Sequence, residues 1–372
     1  MNKNKVIFDI IHGFIELDDL TLSIVDTPEF QRLRNIKQLG AVHYVFPSAN
    51  HTRFEHSLGV YHLAGELIKT LKNNQPELEI TNKEIQLVKI AGLCHDLGHG
   101  PFSHLFDNFI EKESSYNKIH ELRSISILKY LVKKNDINLD SKDIDLISQL
   151  IYPNNLDFSK INKNRHFLYE IVSNYRNGID VDKFDYLKRD TFYLGLSFSL
   201  DCSRIIKHIR VIDGKLCYLD KTYHHILEMF EIRNKLHKQV YKHKTVIAIE
   251  ILIEKIFEKL HNLALIIDNP ILFCRLDDYN IFDIMNYNLD FKNNVENDIL
   301  NIKYRNLYKL ILESNDFIEK DGCIIKKFYF GYKKNPLCKV FFYNRNNINR
   351  KITILKNNLL LQSETIYRYY IN

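Results

Sequence analysis

The spacing of apolar residues predicts a mainly helical chain, because most apolar runs repeat every three or four positions. Residues 26–29 have the features of a helix start: polar side chains that can cap, a proline and a carboxylate. Apolar residues recur at near-helical spacing over residues 30–39, and Gly40 ends the run. Residues 81–84 form a capping box. We expect the helix that this box opens to end at residues 95–96.

Further segments extend this helical pattern. We expect short amphipathic helices over residues 120–131 and 141–151, and a long helical stretch over residues 223–265 that is broken at least once. Strand signals come later in the chain. Residues 211–216 are typical of a hairpin that turns at Asp-Gly. Two further runs are typical of strands with a Lys-Asn-Pro turn between them, and they cover residues 324–332 and 337–343.

These elements predict a mainly α fold, with a helical core and a smaller mixed α/β lobe towards the carboxyl end. We place the core at residues 1–270 and the lobe at residues 271–372. The sequence contains neither an internal repeat nor a long low-complexity linker, so we expect the two parts to be tightly joined.

Composition narrows the class of protein. Hydrophobic residues make up 45% of the 372 residues, which allows a substantial core. The net charge of +6 is mild, so it suits small anions as well as nucleic acid. No apolar run approaches the ~18 residues of a membrane span, and the amino terminus leads into no signal-peptide core. The six cysteines form no CxxC pair, and we expect free thiols in a soluble, intracellular protein.

The most informative segment is residues 94–104, which contain three histidines and a carboxylate among glycines. Neighbouring side chains on a helix point about 100° apart. The adjacent His95 and Asp96 can therefore converge on one cation only if the helix ends there, and Gly98 and Gly100 indicate such an end. A lone His-Asp pair is usually without function, so the rest of the chain decides the interpretation.

A histidine upstream and a carboxylate downstream complete a pattern. His56, then His95 and Asp96, then Asp182 follow the ligand order of the HD-domain phosphohydrolases. Neutral imidazoles with carboxylates suit a divalent Fe, Mn, Zn or Mg ion, with positions left open for water and phosphate.

Longer stretches resemble the SAM-and-HD-domain deoxynucleoside triphosphate (dNTP) triphosphohydrolases and their bacterial and viral relatives. They are residues 26–34, 36–40, 53–60, 91–106 and 169–186. The likeness runs from about Lys5 to at least Arg305, and we expect no SAM domain. The resemblance implies an all-helical HD core, with its motifs at about residues 50–190. It also implies that water attacks the α-phosphorus of a dNTP and releases a deoxynucleoside and intact triphosphate.

The resemblance assigns the metal ligands and the catalytic group residue by residue. The metal ligands are His56, His95, Asp96 and Asp182. The catalytic group is His99, His104, Asp107, His120 and Arg53. Asp180 either orients a ligand or water from outside the ligand set or caps a helix.

A protonated histidine would assist the reaction, because the sugar 5′-oxygen is a poor leaving group. We choose His104 as this acid, with Asp107 and His120 tuning it. The alternative for His120 is a surface position at a helix start.

The resemblance also implies a substrate-binding set. The phosphate contacts are Arg53, His99, Lys183 and Arg233. The sugar and base contacts are Gln38, Leu39, Tyr186, Asp190 and Tyr241. Gln38 and Asp190 would bond the sugar 3′-hydroxyl, and Leu39 would contact the base. The two tyrosines would crowd a 2′-hydroxyl and so select deoxyribose.

Activator sites at a tetramer interface are implied as well, each for a nucleotide with Mg. The GTP site is matched by Lys5, Val6, Asp26, Gln31, Arg34 and Arg305. The dNTP site is matched by Val45, Phe46, Asp201, Arg204, Lys221 and Lys244. Phe8, Leu219 and His225 depart from the family's pattern there, so we expect GTP sensing to be retained and dNTP activation to be weakened or altered. The alternative for Asp26 is that it caps its helix.

Other functions remain open at this point. Another HD phosphohydrolase, acting on a cyclic nucleotide, an alarmone or a nucleic-acid phosphodiester, is disfavoured by the sugar contacts Gln38, Asp190 and Tyr241. A non-catalytic, nucleotide-gated protein would have lost a metal ligand, and none is lost. Only the modest charge supports a single-stranded nucleic-acid binder. The expected partners are dNTPs, GTP and copies of the chain, as a dimer to tetramer, without a membrane.

Overall fold

The computed structural model describes residues 5–113, 119–260, 263–281, 289–354 and 363–372, and these are mainly helical. The α-helices are α1 Asp19–Val25, α2 Pro28–Gln31, α3 Arg53–Asn74, α4 Asn82–Cys94, α5 His104–Glu113, α6 His120–Lys134, α7 Ser141–Ile151, α8 Val181–Tyr193, α9 Ser203–Lys207, α10 Tyr223–Leu236, α11 Lys244–Glu258, α12 Leu263–Asp268, α13 Pro270–Phe273 and α14 Leu289–Lys303. None of these helices is both long and apolar enough to cross a bilayer.

The strands form small sheets around this helical body. They are β1 Lys5–Asp9, β2 Gly13–Leu17, β3 Arg210–Ile212, β4 Lys215–Leu219, β5 Lys309–Ser314, β6 Ile324–Phe330, β7 Phe342–Asn344, β8 Asn347–Ile352 and β9 Glu364–Ile371. In the described chain, β1 and β2 form a hairpin, a second sheet has the order β3-β4-β7-β8, and a third has the order β5-β9-β6. Strands β4 and β7 are parallel, and the other pairs are antiparallel.

Helix α3 is the centre of the core, because it is buried along most of its length between α4 and α8. Its first turn is stabilised by Glu55, whose carboxylate accepts from Thr52 N at 2.7 Å. A capping box opens α4, where Glu84 N donates to Thr81 Oγ1 at 3.1 Å and Thr81 N donates back to Glu84 at 2.8 Å. This packing brings one face of α3, the end of α4 and the first turn of α8 together.

Most of the helical expectations are confirmed. Helix α7 has the expected bounds, and α6 begins as expected and runs one turn further, to Lys134. The long stretch from Tyr223 is interrupted by a wide turn, His237–Tyr241, between α10 and α11, and α11 ends at Glu258, before residue 265. The Asp-Gly hairpin is also confirmed: Asp213 and Gly214 have φ of 51° and 71°, as a tight turn between β3 and β4 requires.

The helix expected over residues 30–39 is wrong beyond its first turn. Helix α2 ends at Gln31, and a short 3₁₀ turn follows. Tertiary partners replace the helical hydrogen bonds here. The buried Arg32 guanidinium donates to the carbonyls of Leu276 and Leu97, and Lys37 N donates to the Asp278 carboxylate at 2.8 Å. Local spacing contains no information on such distant partners.

The strand expected over residues 337–343 is largely wrong. Pro336–Lys339 forms a short helical turn, and only Phe342–Asn344 is a strand. It does not pair with β6 as a hairpin would, because β6 pairs with β9 and β7 pairs with β4 and β8. The β1–β2 hairpin and the strands β5, β8 and β9 were not expected.

The main hydrophobic cluster includes buried residues from both sides of residue 270. Leu58 of α3 shares this cluster with Phe273 of α13, Val295 of α14 and Phe342 of β7. A smaller cluster packs α11 against β6 and β9. The carboxyl-terminal elements therefore pack directly on the helical core.

Candidate active site

Three helices bring the four expected metal ligands together. His56 lies in helix α3, and Asp182 lies in the first turn of α8. His95 and Asp96 directly follow the end of α4. His56 Nε2 lies 3.1 Å from Asp182 Oδ1 and 3.4 Å from Asp96 Oδ2. His95 Nε2 lies 3.3 Å from Asp96 Oδ1 and 3.6 Å from Asp182 Oδ1. The four side chains therefore converge on one small volume.

The donor atoms that face this volume fit a divalent cation. His56 Nδ1 donates to Asp185 at 2.7 Å, and His95 Nδ1 donates to Gly92 O at 2.7 Å. A carboxylate and a carbonyl only accept, so each ring has a proton on Nδ1 and turns Nε2 towards the volume. Both Nε2 atoms are buried and lack a well-aligned hydrogen bond. Two imidazoles and two carboxylates in this arrangement suit several divalent ions.

The electrostatics of this volume also favour a cation. Although burial opposes it, hydrogen bonds to Asp182 and Asp185 raise the pKa of His56 to about 10. The pKa of His95 is raised as well, because Asp96 and Asp182 outweigh its burial. The carboxylates therefore favour positive charge in this volume, which a bound metal ion would supply.

The segment between α4 and α5 makes sharp turns for which the two glycines leave room. A Cβ on Gly98 would lie 2.1 Å from His120 O, and one on Gly100 would lie 2.2 Å from the Phe106 ring. Neither glycine has a positive φ, so they do not act as helix caps in the way we expected. Instead Phe102 and Ser103 adopt the left-handed region, with φ of 57° and 56°.

A second cluster surrounds Asp107 in the first turn of α5. His99 Nδ1 lies 2.9 Å from Asp107 Oδ2, although the angle is poor for a hydrogen bond. His104 Nδ1 and His120 Nδ1 lie 3.8 Å and 3.7 Å from the same oxygen. The His99 ring stacks on His120 with centroids 4.1 Å apart and meets His104 edge-on at 4.9 Å. Arg123 pairs with the other oxygen of Asp107.

This second cluster is rich in potential positive charge. Burial in the pocket wall and the neighbouring His99 and Arg53 lower the pKa of His104 to about 3. The His104 side chain is nevertheless 68% exposed, so it meets the contents of the pocket directly. The pKa of His120 is also lowered by burial and by His99. A bound anion would oppose these effects and favour the imidazolium form.

Both clusters border one cavity of about 950 Å³. Its wall includes these expected metal, catalytic and substrate residues: Gln38, Leu39, Arg53, His95, Asp96, His99, His104, His120, Asp182, Lys183, Tyr186, Asp190, Arg233 and Tyr241. His56 and Asp107 are not part of this wall, but each contacts residues that are.

One side of the cavity presents polar groups of the kind that bond a sugar. The Tyr241 hydroxyl donates to Asp190 Oδ2 at 2.5 Å, and His51 Nε2 donates to Asp190 Oδ1 at 2.8 Å. The Gln38 side-chain oxygen is buried without a hydrogen-bond partner. Leu39 lines the same cavity and is half-buried.

The side chains expected to contact phosphate differ in how many of their donor groups already have a partner in the protein. Arg233 Nε is buried without a partner, so it can bind an anion. Lys183 Nζ lies 3.2 Å from both oxygens of Asp180, which also caps α8 by accepting from Lys183 N at 3.1 Å. The capping alternative therefore describes Asp180. Arg53 is engaged with Asp96 at 2.6 Å and with Ser103 Oγ at 3.0 Å.

The residues expected to bind activators lie at the surface or are half-buried. Thr27 caps α2 by accepting from Phe30 N, so the capping alternative for Asp26 is wrong. Gln31 accepts from Arg34 Nε at 2.7 Å. Arg305 Nη1 donates to Tyr44 O at 3.2 Å. The remaining members are exposed or half-buried in the described chain: Lys5, Val6, Val45, Phe46, Asp201, Arg204, Lys221 and Lys244.

Several residues of the site were missed. Asp185 and His51 orient expected site residues, and His237, Lys242 and Glu250 line the cavity. Asp278 accepts from Lys37 N and from Phe102 N, so it ties both cavity-lining segments to the carboxyl-terminal region. Asp185 lies inside the matching stretch 169–186 and could have been found there, whereas His51 lies two positions before the stretch 53–60. Asp278 has no local signal.

Comparison with known proteins agrees with this geometry. The HD domain family matches residues 53–190. The chain is 39% identical over 382 aligned positions to the deoxynucleoside triphosphate triphosphohydrolase SAMHD1 homolog of Dictyostelium discoideum, with 95% of this chain and 73% of that protein covered. It is 39% identical over 424 positions to deoxynucleoside triphosphate triphosphohydrolase SAMHD1 of Homo sapiens, with 95% and 67% covered. An HD domain-containing protein of Acanthamoeba polyphaga mimivirus is 36% identical over 400 positions, with 92% and 86% covered.

The helical core, the converging histidines and carboxylates and the domain match define an HD-domain protein. The identity extends far beyond the HD domain itself. The chain belongs to the SAMHD1 family of deoxynucleoside triphosphate triphosphohydrolases.

Proposed function

We propose that this protein hydrolyses dNTPs to a deoxynucleoside and inorganic triphosphate. The observation that carries the proposal is the pair of clusters on one cavity wall. One is suited to a divalent cation, and the other is suited to a polyphosphate and to proton transfer. The activity for which the relatives are named agrees with this pairing.

The metal would be held by His56, His95, Asp96 and Asp182, and Fe, Mn, Zn or Mg is compatible with these ligands. A bound divalent ion lowers the pKa of a bound water and neutralises phosphate charge. The protein's own residues must then place the α-phosphorus next to that water.

The phosphates are bound by cationic side chains of the cavity wall. Arg233 offers a buried N–H without a partner, and Lys183 is held in place by Asp180. His99 lies between the two clusters, 3.3 Å from Asp96 and 2.9 Å from Asp107. From this position it can contact the charged oxygens of the triphosphate.

His104 assists the leaving group. The O–P bond to water forms, the bond from phosphorus to the sugar 5′-oxygen breaks, and a proton must reach that oxygen. The exposed His104 ring is neutral in the empty cavity, because its pKa is lowered. Binding of a triphosphate with up to four negative charges favours the imidazolium, so His104 gains its proton together with the substrate.

Specificity for deoxyribose follows from the sugar side of the cavity. Asp190 and Gln38 bond the 3′-hydroxyl, and Tyr186 and Tyr241 fill the space that a 2′-hydroxyl would need. His51 and the Tyr241 hydroxyl orient Asp190 for this contact. Leu39 contacts the base.

Regulation and assembly complete the proposal. GTP with Mg binds through the Asp26, Gln31 and Arg34 group, a dNTP binds weakly at the second site, and the chain forms dimers and tetramers. Residues 1–270 are the catalytic core and residues 271–372 are the regulatory lobe. The exposure of the activator residues supports this arrangement, because an interface between copies needs accessible side chains.

The test is product analysis by chromatography. Purified protein is incubated with Mn²⁺ or Mg²⁺ and mixed dNTPs, with and without GTP. We expect deoxynucleoside and tripolyphosphate, loss of both in Asp182→Ala, and normal turnover in the control Asp145→Asn at an exposed site on α7. Monophosphate and pyrophosphate as products, or turnover that survives Asp182→Ala, would contradict the proposal.

A further inference from the structure

A buried hydrogen-bond network lies directly behind the metal ligand His56. Its centre is Asp185 of α8, whose side chain is fully buried. Asp185 Oδ2 accepts from His56 Nδ1 at 2.7 Å and from Arg189 Nε at 2.9 Å. Asp185 Oδ1 accepts from Arg189 Nη2 at 2.9 Å and from His12 Nε2 at 2.7 Å. His12 lies in the turn between β1 and β2, far from α8 in sequence.

The same hairpin makes a second connection to the network. Asp9, the last residue of β1, accepts from Arg189 Nη1 at 2.8 Å. Its other oxygen accepts from Ile11 N at 3.0 Å and His12 N at 2.8 Å, which fixes the turn that presents His12. The hairpin therefore contacts both the carboxylate and the guanidinium that stand behind the metal ligand.

Helix α3 is built to leave space for this network. A Cβ on Gly59 would lie 1.9 Å from Asp185 Oδ1 and 2.5 Å from Arg189 Nη2. Any other residue would displace both side chains. Gly59 lies one turn from His56, so the helix that provides the ligand also accommodates the group that orients it.

The direction of the His56 ring depends on Asp185. A ring that donates from Nδ1 to a fixed carboxylate turns Nε2 towards the cation and becomes a better ligand. Asp185 shares its two oxygens among three partners, and His12 is the one that the hairpin provides. Without His12, Oδ1 keeps Arg189 Nη2 among the described contacts, and the carboxylate loses the bond that holds it from the side of the hairpin.

We propose that His12 is a positioning residue of the metal centre, acting on the ligand His56 through Asp185. The β1–β2 hairpin is then part of the cation site, although none of its residues contacts the cation. The proposal concerns cation binding alone, so it holds whatever phosphate ester the enzyme cleaves.

Metal binding tests this directly. Metal-free full-length protein is titrated with Mn²⁺ by calorimetry in the wild type, His12→Ala and His12→Gln. We expect about 10- to 100-fold weaker binding in His12→Ala, which is the range for loss of a group that orients a ligand. His12→Gln should stay within a few-fold of the wild type, because its amide N–H can reach Asp185. The matched control is Phe14→Ala, at an exposed position of the same hairpin, and should bind normally.

A purely structural role predicts a different pattern. If His12→Ala binds Mn²⁺ as tightly as the wild type, or if Phe14→Ala weakens binding equally, the proposal is overturned. Should His12→Ala fail to fold, His12→Asn replaces it, since asparagine is too short to reach Asp185. Equal affinities of His12→Asn and His12→Gln would then overturn the proposal, and tighter binding by His12→Gln supports it.

Discussion

The two histidine–aspartate clusters of this protein contain the same residue types and differ in their balance of charge. Around the metal volume, two histidines face the carboxylates of Asp96, Asp182 and Asp185. Around Asp107, three histidines and Arg123 surround one central carboxylate, and the second carboxylate there, Glu121, lies 3.4 Å from His120 Nδ1. The first cluster has an excess of negative groups, and the second has an excess of groups that can become positive.

This difference is visible in the pKa values of the histidines. Despite burial, hydrogen bonds to Asp182 and Asp185 raise the pKa of His56 to about 10, whereas burial and His99 lower the pKa of His104 to about 3. The first cluster attracts a cation and the second attracts an anion. The two clusters contain the same residue types, so residue type alone does not distinguish them, and their balance of carboxylates and cationic groups does.

The largest effect is expected from variants that change one cluster and leave the other intact. Asp107→Asn removes the central carboxylate of the second cluster and should lower turnover about 10²- to 10⁴-fold, the usual contribution of acid–base catalysis. Binding of Mn²⁺ should be unchanged, because Asp107 does not face the metal volume. Asp182→Asn should instead abolish Mn²⁺ binding. Steady-state rates and calorimetric titration of both variants test this, and loss of metal binding in Asp107→Asn would break the distinction.

A second prediction concerns the support of the Asp107 cluster. The Asp278 carboxylate accepts a hydrogen bond from Phe102 N, two residues before His104. Burial raises the pKa of Asp278 to about 7. Between about pH 4 and 7 the folded protein retains a proton that the unfolded chain loses. Asp278 should therefore contribute stability that is lost as pH rises through this window, by up to about 4 kcal/mol, whereas His104, with its lowered pKa, contributes in the opposite direction. Thermal unfolding at several pH values should show the Asp278 contribution as a difference in slope between the wild type and Asp278→Asn.

The control for this measurement is Asp145→Asn, at an exposed position of α7, which should keep the wild-type pH dependence. If Asp278→Asn has the same slope as the wild type, the proton is not held at Asp278.

The smallest effect is expected far from both clusters. Asp26 is exposed and Thr27 caps α2 in its place, so Asp26→Ala should leave thermal stability and metal binding unchanged. The GTP concentration for half-maximal activation should rise about tenfold, because a charge-assisted hydrogen bond to the guanine is lost. Activity measured against GTP concentration tests this. An unchanged GTP response would remove Asp26 from the activator site.

Much of the helical core could be predicted because its signals are local. The capping box at Thr81 and Glu84 and the apolar periodicity of α7 operate within a few residues. The prediction failed where distant partners replace local bonds. Arg32 and Lys37 bond to the segments around residues 97 and 278, so the expected helix through residue 39 does not form. The β7 and β9 pairings are equally non-local.

The order of histidines and carboxylates along the chain, together with the resemblance to a known family, predicted from the sequence which residues could form a metal site and a catalytic group. This prediction was possible because those residues lie in stretches that resemble the family's motifs. Only the tertiary structure decided that Asp185, His12 and Asp9 stand behind His56, and that three histidines share Asp107. The physical reason is that these contacts join segments up to 180 positions apart. Such contacts form only when α3, α4, α8 and the hairpin pack together.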